Sequence, residues 1–167
     1  MYMNKNFLVV FVVILLLGIG FYSIMQYRAP RTESEQQDDV RALTNVLDLS
    51  NRGLTQVSQD VFTQTDLVTL DLSGNHLTGA IPAEIRLLSK LVTLDLSDNA
   101  MTGLPAEIGQ LRHLTVLDLS NNQLTGLPLE LGQLTGLETL DLRGNDYAKN
   151  DLDQIRTTLA KTNILVD

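Results

Sequence analysis

Apolar residues are distributed along this 167-residue chain in two different ways. Phe7 to Met25 reads FLVVFVVILLLGIGFYSIM, 19 residues without a charge. At about 1.5 Å of rise per residue such a helix is about 28 Å long, close to the thickness of a bilayer's hydrocarbon core. From Thr44 onward the apolar positions recur instead of running together. Leu67 begins LVTLDLSGNHLTGAIPAEIRLLSK, Leu91 begins LVTLDLSDNAMTGLPAEIGQLRH and Leu114 begins LTVLDLSNNQLTGLPLELGQLTG, at spacings of 24 and then 23 residues. A fifth unit begins LETLDLRGN at Leu137, and a degraded first one runs TNVLDLSNRGLTQVSQDVF from Thr44. Within each unit the LDL triplet alternates. That predicts a short strand sending Leu94 and Leu96 inward and leaving Thr93, Asp95 and Ser97 on the opposite face.

The N-terminal run is read as a transmembrane signal-anchor helix over residues 7–27, after a short tail of residues 1–6. Tyr22 and Tyr27 lie near one end, where aromatic rings favour the headgroup region. A cleaved signal peptide would place Gly18 and Gly20 at the cut. The apolar run continues through Phe21, Ile24 and Met25, which a cleavable peptide does not require, so a retained anchor is the preferred reading. Lys5 on one side faces Arg28 and Arg31 on the other, which nearly balances the positive-inside rule. The very short tail favours the N-terminus inside and the following domain outside. Residues 28–43 form a polar linker or an N-capping helix. Pro30 stops the anchor helix, and Thr32 with Glu35 would make a capping box that sets Val40 and Leu43 on one face. A solvated tether is the equal alternative.

The repeating pattern, L-x-x-L-x-L-x-x-N-x-L, is the signature of leucine-rich repeats. The chain over residues 44–167 therefore resembles that family. LTGAIP at Leu77 to Pro82 resembles the plant-type subclass. LTGLP at Leu124 to Pro128, and MTGLP at Met101 to Pro105, are similar to a shorter form common in bacterial members. The resemblance implies an α/β fold: a right-handed solenoid of about five repeats with a parallel sheet on its concave side, preceded here by one transmembrane helix. The repeats fall near 44–66, 67–90, 91–113, 114–136 and 137–160, with a closing half-strand at 161–167. It also implies that Asn75, Asn99, Asn122 and Asn145 form a buried ladder bonded to the backbone of neighbouring turns. Gly79, Gly103 and Gly126 then ease the return, and Pro82, Pro105 and Pro128 open the convex side without needing an N–H. Ile108 with Leu111, and Leu131 with Leu134, return to the core.

Stacking alone stabilises such a chain, so its end units should differ. The first has Thr44 for Leu, Arg52 for the ladder Asn, Ser58 for Pro and Gln64 for Leu. The last lacks the LTGLP phrase and instead reads as a helix with Ile155 and Leu159 facing in, then a strand through Ile164 and Val166. The expectation is a complete closing cap.

Charge and composition narrow the function. Lys5, Arg28 and Arg31 are the only charged side chains before residue 32, so the remainder carries 20 acidic against 9 basic residues. Such a domain repels nucleic acid, and a charged partner would be cationic. No cysteine and no N-x-S/T sequon is present, which removes disulfides and thiolate metal sites and sits easily with a bacterial protein. His76 and His113 stand on different faces, which removes a shared metal site. No nucleophile, phosphate loop or triad can be assembled, so the chain is read as a non-enzyme without a cofactor.

One constellation remains. Asp48, Asp71, Asp95, Asp118 and Asp141 hold one strand position in all five units, beside a column of Ser50, Ser73, Ser97 and Ser120 that Arg143 breaks. Carboxylates about 5 Å apart repel by about 0.8 kcal/mol even at the dielectric of water. The column is ordinary consensus or an acidic strip. As a strip, with Ser73, Ser97, Ser120 and Thr93, it would take a cationic protein or peptide on the concave face. A polyamine or Ca²⁺ is the further option, although no dedicated metal site is expected. Beyond the anchor and its flank, Phe62 and Tyr147 are the only aromatic residues, which favours a weak or multivalent binder. The expected protein is a membrane-anchored interaction module whose soluble domain is extracytoplasmic. The alternative is a structural or assembly scaffold of the cell envelope.

Overall fold

The computed structural model describes residues 45–167. The tail 1–6, the anchor 7–27, the whole of the linker 28–43 and position 44 lie outside the described residues. Among the described residues, no helix is long and apolar enough to cross a membrane.

Six of the described strands form one all-parallel sheet in the order β1 (Val46–Asp48), β2 (Thr69–Asp71), β4 (Thr93–Asp95), β6 (Val116–Asp118), β7 (Thr139–Asp141) and β8 (Asn163–Leu165). The alternation read from the sequence sets the burial. Leu70, Leu72, Leu94, Leu96, Leu117, Leu119, Leu140 and Leu142 are fully buried, while Thr69, Thr93 and Asp95 between them keep partial access to solvent. Each such leucine contributes about 1.5–3 kcal/mol through burial, but only because the adjoining turns cover it.

The opposite side of the stack is built from short 3₁₀ turns at Ala83–Leu87, Ala106–Gln110 and Leu129–Gln133. Pro82, Pro105 and Pro128 precede them, where a missing N–H costs nothing. Ile85 with Leu88, Ile108 with Leu111, and Leu131 with Leu134 close the core from that side. In the first unit Ser58 replaces the proline. Its hydroxyl caps α1 (Gln59–Phe62), which buries Val61 and Phe62. At the other end, α2 (Lys149–Thr158) buries Leu152 and Ile155, Leu159 follows at its end, and β8 adds Ile164 to the partly buried margin.

Two details differ from the sequence reading. Of Gly79, Gly103 and Gly126, only Gly79 takes a positive φ (+69°), so the other two do not serve through left-handed backbone. Beside the main sheet there is also a second, two-stranded parallel sheet of β3 (Thr78–Gly79) and β5 (Ala100–Met101). It follows the LTGAIP phrase and the unit after it.

Candidate functional site

The strand register sets Asp48, Asp71, Asp95, Asp118 and Asp141 opposite one another across five consecutive strands. Their geometry follows from a local motif. The Oδ1 of Asp71 accepts from the Ser73 N–H at 2.9 Å and from the Ser73 hydroxyl at 2.6 Å. Asp48 with Ser50, Asp95 with Ser97, and Asp118 with Ser120 repeat the pair of bonds. Ser97 and Ser120 are buried, so these hydroxyls orient carboxylates more than they face a partner. For Asp71, Asp95 and Asp118, Oδ2 is the oxygen left for another group.

An arginine stands near each end of the column, and one of them pairs with the end carboxylate. Arg143 stands where the serine would be, and its Nη2 reaches Asp141 Oδ2 at 2.6 Å over a side chain that is only 6% exposed. At the opposite end, Arg52 Nη2 donates to the Asp48 carbonyl at 2.9 Å. Asp141 is therefore ion-paired, whereas the carboxylates of Asp48, Asp71, Asp95 and Asp118 are held by serines without an ion pair among the described residues. Burial holds the Asp95 carboxyl above its ordinary value, with Asp118 and Asp71 adding to the effect and the Ser97 bonds opposing it. The end members move the other way. The Ser50 N–H and hydroxyl lower Asp48, and the Arg143 guanidinium lowers Asp141. Beside the acids runs a neutral column of Thr69, Thr93, Val116 and Thr139.

The described residues contain no cluster of three or more His, Asp or Glu side chains arranged for a metal ion. The reason is spacing. Ca²⁺ needs several oxygens about 2.3–2.6 Å from one point, whereas a row stepping about 4.8 Å per strand spreads them out. His76 and His113 are both exposed.

The asparagine positions are structural. Asn122 Nδ2 donates to the carbonyls of Leu96, Leu119 and Ser120, and its Oδ1 accepts from the Met101 N–H at 3.0 Å. Asn75 accepts from both Arg52 N–H and Leu54 N–H. Asn99 accepts from Leu77 and Asn145 from Leu124. Each ties its own turn to the preceding one. Asn75 and Asn122 are buried, while Asn99 and Asn145 are half-buried.

One recurrent position escaped the sequence reading. The residue just before each ladder position has left-handed backbone: Asn51, Gly74, Asp98, Asn121 and Gly144, with φ between +54° and +68°. The signal was present, because Asn, Gly and Asp are the residues that tolerate this region. Their side chains also meet across turns, as Asn121 Nδ2 donates to Asp98 Oδ1 at 2.9 Å.

Comparison with known proteins places this geometry. No curated protein matches the chain. Among solved structures, a leucine-rich-repeat protein of Leptospira interrogans is 42% identical, with a TM-score of 0.67, over 71% of this chain and 30% of its own. The BIR3–SERK2 complex from Arabidopsis thaliana is 40% identical, with a TM-score of 0.57, over 61% of this chain and 56% of that one. The plant peptide hormone receptor RGFR1, solved in complex with RGF2, is 30% identical, with a TM-score of 0.61, over 72% of this chain and 24% of the receptor. The chain thus spans only part of the length of each relative. The family model for a leucine-rich repeat region matches residues 41–161, and the chain belongs to the leucine-rich-repeat family.

Proposed function

We propose that this chain is a membrane-tethered, non-enzymatic interaction module that uses the outward face of its main sheet to hold a cationic segment of a protein partner. The supporting observation is the register of Asp71, Asp95 and Asp118, carboxylates in one row beside the arginine-paired Asp141. Repeated carboxylates at strand spacing attract a segment carrying several Lys or Arg side chains, and such attraction weakens with salt. RGFR1 is a relative whose solved structure includes a peptide ligand, which makes a peptide-sized occupant reasonable here. The 19-residue apolar run supports anchorage through residues 7–27, with the repeat domain outside the membrane. The net acidity of the repeats argues against nucleic acid as a partner.

The test uses the full chain in detergent micelles with a hexalysine peptide as probe. Binding should fall as salt rises and should be lost in the double variant Asp95→Asn, Asp118→Asn, with the unfolding midpoint retained or raised. Equal binding by that variant would discard the acidic row as the contact. The second reading is an envelope scaffold. It is favoured by one fact: each carboxylate already accepts two bonds from its own serine. In that case hexalysine would not bind, and the same variant would leave envelope morphology in cells to depend on the anchor and the stack alone.

A further inference from the structure

The small sheet of β3 and β5 continues a ladder that thins to one bond at each end of the stack, the far end keeping only Ala148 N–H to Thr125 O at 3.2 Å. Between the middle turns it is carried by Ala100 N–H to Leu77 O, Thr102 N–H to Gly79 O, Gln123 N–H to Met101 O and Thr125 N–H to Thr102 O. Between the first two turns a single bond remains, His76 N–H to Leu54 O at 2.8 Å. Beyond it the chain at Gln56 parts from β3 and a cleft of about 280 Å³ opens. Backbone groups of a strand alternate in direction. Because Leu77 and Gly79 turn their carbonyls to β5, the N–H and C=O of Thr78 face the cleft, and the residue is exposed.

The cleft has a definite chemistry. Val57, Leu77, Ile81 and Met101, all at or below 8% exposure, make its apolar floor. Thr55 and Gln56 stand on the wall opposite Thr78 and are exposed. None of the ten lining residues is charged, although the domain around them is strongly acidic. A charged side chain would lose its hydration there without gaining a partner, so the electrostatic match is to an uncharged segment. The volume lies just under the roughly 300 Å³ at which drug-sized pockets begin, so it suits one aliphatic side chain and the backbone beside it.

We propose that this cleft is a second binding site, distinct from the acidic row, which takes an uncharged extended peptide that pairs its main chain with Thr78 and seats one aliphatic side chain on Val57, Leu77, Ile81 and Met101. Strand addition of this kind draws affinity from backbone pairing and selectivity from the seated side chain.

Hydrogen exchange on the full chain in micelles tests it, with the blocked peptide acetyl-Ser-Thr-Leu-Thr-Ser-amide as probe and N-acetyl-leucine amide as the single-residue control. At millimolar peptide, exchange over residues 54–58 and 77–81 should slow about threefold or more, which reads as a population mostly bound. Thr55→Trp, an exposed wall residue turned into a plug, should abolish the protection. Thr78→Pro removes one N–H and should weaken it. The double variant Asp95→Asn, Asp118→Asn should retain it, which separates this site from the acidic row. Four results would overturn the proposal: no protection with peptide; protection confined to the sheet face; equal protection by the single-residue control, which needs no main-chain pairing; or full protection before peptide is added, which would mean that the chain fills its own cleft. If Thr55→Trp fails to fold, the comparison of peptide with single-residue control decides the matter in the wild-type chain.

Discussion

The Oδ1 of Asn121 lies 2.6 Å from the point where a Cβ would stand on Gly144, and the Asn121 backbone N and Cα lie 3.2 Å from that point. Both residues have positive φ, at successive turns of the stack. Gly144→Ala therefore meets two obstacles, left-handed backbone and a fixed neighbour. Gly74→Ala meets the same backbone cost but presses only on the Asn51 side chain, and Gly53→Ala meets nothing within 4 Å. The expected order of destabilisation is Gly144, then Gly74, then Gly53, with the last near the bare cost of about 1 kcal/mol for an L-residue in this region. Urea unfolding of the three variants checks the order.

Gly109 serves by close approach rather than by backbone freedom. A Cβ there would lie 2.4 Å from the Glu130 carbonyl oxygen of the next turn. Backbone cannot swing aside as a side chain can. At Gly132 the corresponding neighbour is the Thr158 hydroxyl, also at 2.4 Å. Gly109→Ala is expected to cost about 2–3 kcal/mol by forcing strain into a packed turn, and Gly132→Ala about half of that. Thermal unfolding midpoints measure the difference.

Asn122→Ala should destabilise the stack by about 1–3 kcal/mol, since it strands the buried Met101 N–H and takes one donor from each of the Leu96, Leu119 and Ser120 carbonyls. Asn99→Ala should fall toward the lower part of that range because Asn99 is half-buried. Arg52→Ala, at the equivalent position of the first unit, removes an exposed bond to the Asp48 carbonyl and should cost clearly less. Equal losses at Asn122 and Arg52 would contradict a distinct role for the ladder asparagine.

Asp95 predicts a pH signature. Its folded carboxyl titrates above its unfolded value, chiefly through burial. The folded state therefore binds more protons through that window, and stability falls as pH rises from the ordinary carboxylate value through the folded one. Asp95→Asn keeps an oxygen to accept from Ser97 and removes the cost. It should be more stable than wild type at pH 7, with the advantage gone below about pH 3. Unfolding midpoints across pH 3–7 test this, and a difference independent of pH would show that the charge is not its source.

Arg143→Ala should act in the opposite sense. Asp141 is held below its ordinary value by the Arg143 guanidinium and is buried. Its stabilising contribution is present above the unfolded carboxylate value and is lost as pH falls through the lower folded one. Removing the arginine should lower stability at pH 7, by an amount tempered by the exposure of the guanidinium. The loss should shrink in strong acid, where Asp141 is protonated in either protein.

Local periodicity was sufficient for much of this protein. The 24- and 23-residue spacings and the LDL alternation already determine which leucines face the core, that the acidic positions share one strand place, and that Asn75, Asn99, Asn122 and Asn145 recur in step. The left-handed column of Asn51, Gly74, Asp98, Asn121 and Gly144 was also written in the letters. Three residue types share that duty, so it looks variable until φ is known. Other features arise only when turns are stacked. The contact of Gly109 with Glu130 and the opening of the ladder after His76 each depend on distances between residues about 20 or more apart, whereas the Arg143–Asp141 pair spans two residues of one unit. A repeat specifies its own faces through alternation, which is a property of one strand. How closely the next turn approaches depends on the side chains and backbone of both, so the close contacts and the cleft were decided by packing.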